Sequence, residues 1–352
     1  MELLVLDTEF KELEILDSFE SLIWTDRYCE SGDFEIYHNV DERLFNILQS
    51  GHYLWNNKTE HVMIIENRKI ETDAENGDHI IITGRSLESL LTRRIVWRKT
   101  VLSGNLQNGI KKLLNENIIF PEDPKRQIQN FIFEDSIDAA ITDLQVDAQF
   151  TYDNLYDAIY KLCIANGIGF KITLSNENKF IFKLYSGKDR SYNQLINPYV
   201  VFSEKFENLI KTNYMEATSN SKNVTLIAGE GEGENRKTTV LGNISGLERR
   251  EMYTDARDLS QTVDGVVLSE EDYIAQLSQR GLEDLAEHVE EKSFEGSVDT
   301  SQMFKFGQDF FLGDIVQITN EYGIGARARI TEIIYSQSTS GIEIYPTFVI
   351  LD

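Results

Sequence analysis

The stretch IAGEGEGENRKTT, residues 227–239, comes near a known ligand-binding pattern. Glycines alternate with Glu230, Glu232 and Glu234 directly after the apolar run Val224–Ala228. A phosphate-cradling P-loop needs G-x-x-x-x-G-K-[ST]; Lys237 and Thr238 are present, but Arg236 stands where the second glycine belongs. The dinucleotide pattern G-x-G-x-x-G fails too, because Glu234 takes the place of the third glycine. Carboxylates this close would also repel phosphate, by on the order of a kcal/mol per pair at an effective dielectric near 20. The stretch therefore predicts a strand entering an acidic turn, with glycines supplying positive φ or close backbone approach.

Other constellations are weaker still. His38, His52, His61, His79 and His288 form no H-E-x-x-H or similar metal pair, so each reads as a solvated or packed ring. No G-x-S-x-G elbow occurs. Cys29 and Cys163 are too isolated for a disulfide framework or a zinc site, and Cys163 reads as a small buried hydrophobe. Asp73, Glu75 and Asp78 do not fit an EF-hand, and their segment reads as a solvated hairpin turn around Asn76-Gly77. Trp24, Trp55 and Trp97 lack the basic company of a nucleic-acid stacking platform and predict core or subunit-interface packing. The basic island RRIVWRK, Arg93 to Lys99, reads as a solvated or ion-paired strand edge, with contact to an acidic neighbouring subunit as the alternative. Neither a catalytic residue, a cofactor nor a metal is expected.

The elements that carry these residues can be read from periodicity. The first hundred residues alternate apolar and polar in short runs, such as GDFEIYHNV, spaced roughly every 8 to 12 residues, which suggests a small barrel or sandwich. Helices are predicted at LQNGIKKLLNEN and at Thr151–Ala165, where Leu155, Ala158, Ile159, Leu162 and Cys163 share one face. A hairpin follows in GFKITLSNENKFIFKLY, and helix and hairpin together predict a small α+β module. The segment Ser269–Lys292 predicts a helix capped by Ser269 and Asp272, with a stripe of Ile274, Leu277, Gly281, Leu285 and Val289. Strands then return to the C-terminus. The expected class is mainly β with α+β insertions. With 352 residues and 41% hydrophobic composition the chain can bury real cores. Its 34 Lys and Arg against 59 Asp and Glu give a formal charge of -25, which argues against gripping phosphate backbones. The N-terminus has neither a signal-like apolar region nor a span, so cytoplasmic synthesis without membrane insertion is expected.

The ordered set YSGKDRS, VVFSEKFENL, Tyr214 and KNVTLIAGEGEGENR, over residues 185–236, resembles phage tail hub proteins, and most nearly the siphovirus tail-tip family called Gp37-like. FKFGQDFFLGDIVQI and GIGARARITEIIYS are similar to the terminal barrel of those proteins, with its L-G-D-x-V turn, and ESGDFEIYHN and ITGRSLESLLTRR to the first barrel and its closing segment. The resemblance implies two barrels per chain, over 1–100 and over 201–235 with 295–352, separated by an α+β insertion at 101–200 and a helical insertion at 236–294, and a homotrimer whose six barrels form a ring matching a hexameric distal tail or tail tube protein, at the distal end of the virion tail. Implied partners are a tape measure protein, a downstream tip, receptor-binding or lysin protein, and DNA that passes without specific binding. Any lytic activity is expected from another polypeptide, because the sequence stops at Asp352 after the last barrel strand. Gly229–Arg236 corresponds to a structural strand and loop, and Glu230, Glu232 and Glu234 become candidates to face the channel or an interface. Rival readings are a peptidoglycan hydrolase or peptidase, and a receptor- or carbohydrate-binding tip protein.

Overall fold

The computed structural model describes residues 1–73, 77–263, 265–298, 303–319, 322 and 325–351. They form a mainly β fold organised as two compact units, one of residues 1–89, 170–214 and 293–352, the other of 90–169 and 215–292.

Period-two burial builds the first unit. In the strand Ser21–Arg27 the side chains of Leu22 and Trp24 are buried while Ile23 is exposed, and in Asp33–Asn39 Phe34 and Ile36 are buried around exposed Glu35. The antiparallel register sets Leu22 opposite Ile36 and Trp24 opposite Phe34, so the apolar sets share a face. Strands Val62–Asp73 and Gly77–Ser86 form the hairpin expected at this point; Glu75 and Asn76 lie outside the described residues.

The barrels predicted for the two ends of the chain do not form separately. A single thirteen-stranded sheet holds strands of both segments, except that Val224–Ala228 of the second pairs instead with Thr238–Leu241 and Glu251–Asp255, and no pairing among the described residues closes the large sheet: its path ends at Glu12–Leu16 and Leu209–Ala217. The physical cause lies in the 14-residue strand Gly325–Ser338. Its first half pairs with Ile315–Thr319, and beyond Thr331, where the register shifts against the following strand, its second half pairs with Ser21–Arg27. The bulge bends the strand onto a new partner, and the Thr331 carbonyl accepts the Tyr28 N–H at 2.9 Å. One core follows, in which Leu3, Trp24 and Phe34 pack with Phe202, Val316, Ile330 and Phe348. Strand spacing shows where strands lie but not which edges they share.

In the second unit, helix Leu155–Ala165 is capped by Asn154 and buries all five residues of its expected face. Helix Leu106–Leu114 continues into a π turn over Asn115–Ile119. Helix Glu270–Ala286 starts as expected, with the Ser269 hydroxyl accepting from the Asp272 N–H at 3.1 Å. Leu277 and Tyr273 pack with Ile227 of the strand group Val224–Ala228, Thr238–Leu241 and Glu251–Asp255 and with Ala256 and Leu259 just beyond it. The predicted stripe runs too far: the helix ends before Val289, which is exposed, and its buried face includes Gln276 and Glu283 instead.

Candidate functional site

In the first unit, two segments distant in sequence, YSGKDR at 185–190 and FLGDI at 311–315, meet at one junction. Gly187 and Gly313 make the approach possible: a Cβ on Gly187 would stand 1.8 Å from the Gly313 carbonyl oxygen. Gly313 has φ of +89°, and a Cβ there would lie 2.2 Å from the Tyr28 ring, so neither position tolerates a side chain. The contact seats Asp314, which is buried. Its carboxylate accepts the Lys188 N–H at 2.7 Å, the Arg190 Nε–H at 2.6 Å and the Phe311 N–H at 3.0 Å. Arg190 is itself buried, so this is an ion pair outside solvent with its lone pairs satisfied. Arg327 pairs with Asp189 at 2.9 Å, and the Ile315 N–H donates to the Lys188 carbonyl. The L-G-D-x-V turn is thus a clamp on the 185–190 segment.

Beside the junction lies a cleft of about 460 Å³ whose lining includes Asp26, His61, Lys171, Tyr185, Phe311 and Asp314. At its base His61 Nδ1 stands 3.5 Å from the Glu88 carboxylate. Asp26 accepts from Trp24 Nε1 at 2.9 Å, and Glu88 from the Ile172 N–H at 2.6 Å. Burial alone would lower the His61 pKa, but the Asp26 and Glu88 charges outweigh it and raise it to about 9. Burial pushes the Asp26 carboxyl up. An imidazole held protonated through neutral pH is a poor general base, and this cluster is suited to holding the strands Ser21–Arg27 and Val62–Asp73 to Glu88. Among the described residues no group of His, Cys, Asp or Glu is placed to hold a metal ion.

The acidic turn lies in the second unit, between the strands Val224–Ala228 and Thr238–Leu241. Gly231 and Gly233 adopt positive φ, as the turn requires. Glu230 is engaged locally: its N–H donates to the Tyr273 hydroxyl at 2.7 Å, and its carboxylate accepts the Gln261 N–H at 2.8 Å. Glu232 is exposed, and Glu234 sits in the short 3-10 turn Gly233–Asn235. Lys237, the cation of the near P-loop pattern, pairs with Glu270 at 3.0 Å, and Arg236 beside it pairs with Asp255 at 2.8 Å.

Cys163 is buried in its helix, and burial pushes the Cys29 thiol up to about 12. His79 is buried and stacks on Tyr37, the His52 ring Nδ1 contacts the Ile47 carbonyl, and His38 contacts Asn39. The His288 ring contacts the Asp284 carbonyl. Trp24 is fully buried, whereas Trp55 and Trp97 are exposed. Sequence reading missed two sets. Asp26, His61 and Glu88 are scattered along the chain with no spacing signal, and Asp314 with Arg190 was visible only as part of turn motifs.

Comparison with known proteins bears on the same motifs. Residues 2–348 match the family described as Siphovirus ReqiPepy6 Gp37-like protein. The chain belongs to this family. No curated protein sequence matches it. Its fold is similar to that of a tail protein from Neisseria meningitidis, at 13% identity and a TM-score of 0.60, over 99% of this chain and 96% of that one. The 43 kDa tail protein of prophage MuSo2 from Shewanella oneidensis aligns at 10% identity and a TM-score of 0.59, covering 99% and 98%. The prophage tail protein gp18 of Listeria monocytogenes aligns at 15% identity and 0.52, covering 99% and 94%. The Gp37-like chain is thus a phage tail protein by family, with the fold of tail proteins over nearly its whole length.

Proposed function

We propose that this Gp37-like protein is a structural tail hub: a homotrimeric ring at the distal end of the tail that meets a sixfold tail tube and leaves a central passage for DNA. The observation that carries the reading is the family match over residues 2–348. The open sheet adds to it. Its terminal strand Glu12–Leu16 exposes Leu13 and Ile15, at 41% and 60%, and its outer edge has no strand partner among the described residues, so a neighbouring subunit can cover it. The tape measure protein and a downstream tip, receptor-binding or lysin protein are its expected neighbours.

The ring acts by shape and charge and makes no bonds of its own. With -25 formal charges per copy, carboxylates facing the passage keep a DNA polyanion from adhering. Light scattering of the purified chain tests the reading: the expected mass is three times 40.5 kDa, and a mass of one subunit at micromolar concentration contradicts it. Incubation with cell walls is expected to release no muropeptides, and release would favour the hydrolase instead.

A further inference from the structure

The basic island of the sequence becomes a surface feature in the second unit. Two clefts, of about 650 and 390 Å³, share Trp97, Asp123 and Arg126 in their linings. Arg93, Arg94, Arg98, Lys99, Lys125 and Arg126 line them, against the carboxylates of Glu116, Glu122 and Asp123. In a chain of charge -25 this is a local cationic excess. Among the described residues, only Arg98 of the six cations has a carboxylate within ion-pair distance, that of Glu122. Arg94 and Arg126 are instead held by carbonyls: Arg94 Nε donates to the Arg126 carbonyl at 2.8 Å and Arg126 to the Ile95 carbonyl at 2.7 Å. Burial, and then the neighbouring arginine, push both guanidinium pKa values down, with the Asp123 charge offsetting part of the shift at Arg126.

The same surface presents large aromatics. Trp97 is 58% and Phe120 75% exposed, and the Arg126 guanidinium stacks 4.8 Å from the Trp97 ring centroid. Exposed Trp and Arg around a concave site are the composition of interface hot spots.

We infer that the surface around Trp97, Phe120 and Arg126 is the cationic half of the contact between copies of this chain, and that it docks on an acidic face of the next copy. The inference rests on the ring proposed above. Copies that each carry -25 repel one another, so stable contact requires opposite charge where they meet. A twofold contact with this surface on its axis would set it against itself, whereas a head-to-tail contact sets it against the acidic remainder of a neighbour, as a closed ring of three requires.

Sedimentation velocity on the full chain tests this with two triple variants of equal charge change. The variant R93E/R98E/K125E reverses exposed cations of the patch; K69E/K205E/K305E reverses exposed cations away from it and from the edge strand Glu12–Leu16. The expected result is that the wild type assembles, that patch reversal weakens the assembly at least about tenfold, as loss of charge complementarity at an interface does, and that the control assembles like the wild type. Undiminished assembly of the patch variant overturns the inference and leaves the ring standing. Equal loss in both variants overturns it in favour of a general charge effect. A monomeric wild type removes the ring as well. Double-stranded DNA is added as a second probe: binding by the wild type that patch reversal abolishes would assign the surface to phosphate and overturn the subunit contact.

Discussion

Asp314→Ala is the sharpest perturbation of the motif junction. The substitution removes the acceptor for the Lys188 and Phe311 N–H groups and the counter-ion of Arg190. The Arg190 guanidinium, whose side chain is 8% exposed, is then left charged without a carboxylate. Breaking one side of a buried ion pair costs about 3–5 kcal/mol, because the surviving charge stays desolvated. For a folding unit of this size each kcal/mol moves the melting midpoint by about 2–4 °C, so a fall of roughly 6–20 °C is expected. Thermal melts followed by circular dichroism at neutral pH measure it. The double variant R190M/D314L removes both charges and is expected to recover the part of the loss due to the stranded guanidinium, while the Lys188 and Phe311 N–H groups stay without their acceptor. A single-variant shift below about 3 °C, or a double variant no more stable than D314A, would refute the argument that Asp314 anchors the 185–190 segment through a buried charge.

Two further predictions concern pH. His61 has a folded pKa raised to about 9 from 6.5, so its ion pairing stabilises fully below 6.5 and is lost as pH rises through 9; H61N should remove that slope from the urea-denaturation free energy, and an unchanged slope would count against the pairing with Asp26 and Glu88. Glu283, buried in helix Glu270–Ala286, has its pKa raised to about 7 by burial, with Arg280 only partly offsetting it. The native state therefore holds the proton more tightly than the unfolded chain, and stability falls as pH rises from 4.5 to 7; E283Q should gain about 2–3 kcal/mol over the wild type at pH 8 and little at pH 4.5, and an equal effect at both would contradict a neutral native Glu283.

Local chemistry was legible in the sequence. The Ser269 cap, the five-residue face of Leu155–Ala165 and the hairpin Gly169–Leu174 with Phe180–Tyr185 follow from side-chain period and turn residues, and the structure has them. Pairing was not legible, because two strands of the same period are indistinguishable until something fixes their edges. Here the bulge at Thr331 does so, joining the C-terminal hairpin to Ser21–Arg27. The end of the last long helix was misplaced because Leu285 and Val289 continue the apolar spacing past Ala286, where the helix ends. The turn motifs that carried the resemblance were visible as glycines and aspartates, but their meaning depends on Gly187 meeting Gly313 across more than a hundred residues of chain. The buried cluster of Asp26, His61 and Glu88 left no signal, since only the folded sheet brings the three together.

The assembled state of the chain in the particle decides between a hub and any other tail component. Cryo-electron microscopy of intact tails carrying this protein, averaged at the distal end, is the direct measurement. Three copies around an open axis beneath a sixfold tube are expected. A single copy, an arrangement without a central passage, or a tail end that lacks the chain would contradict it.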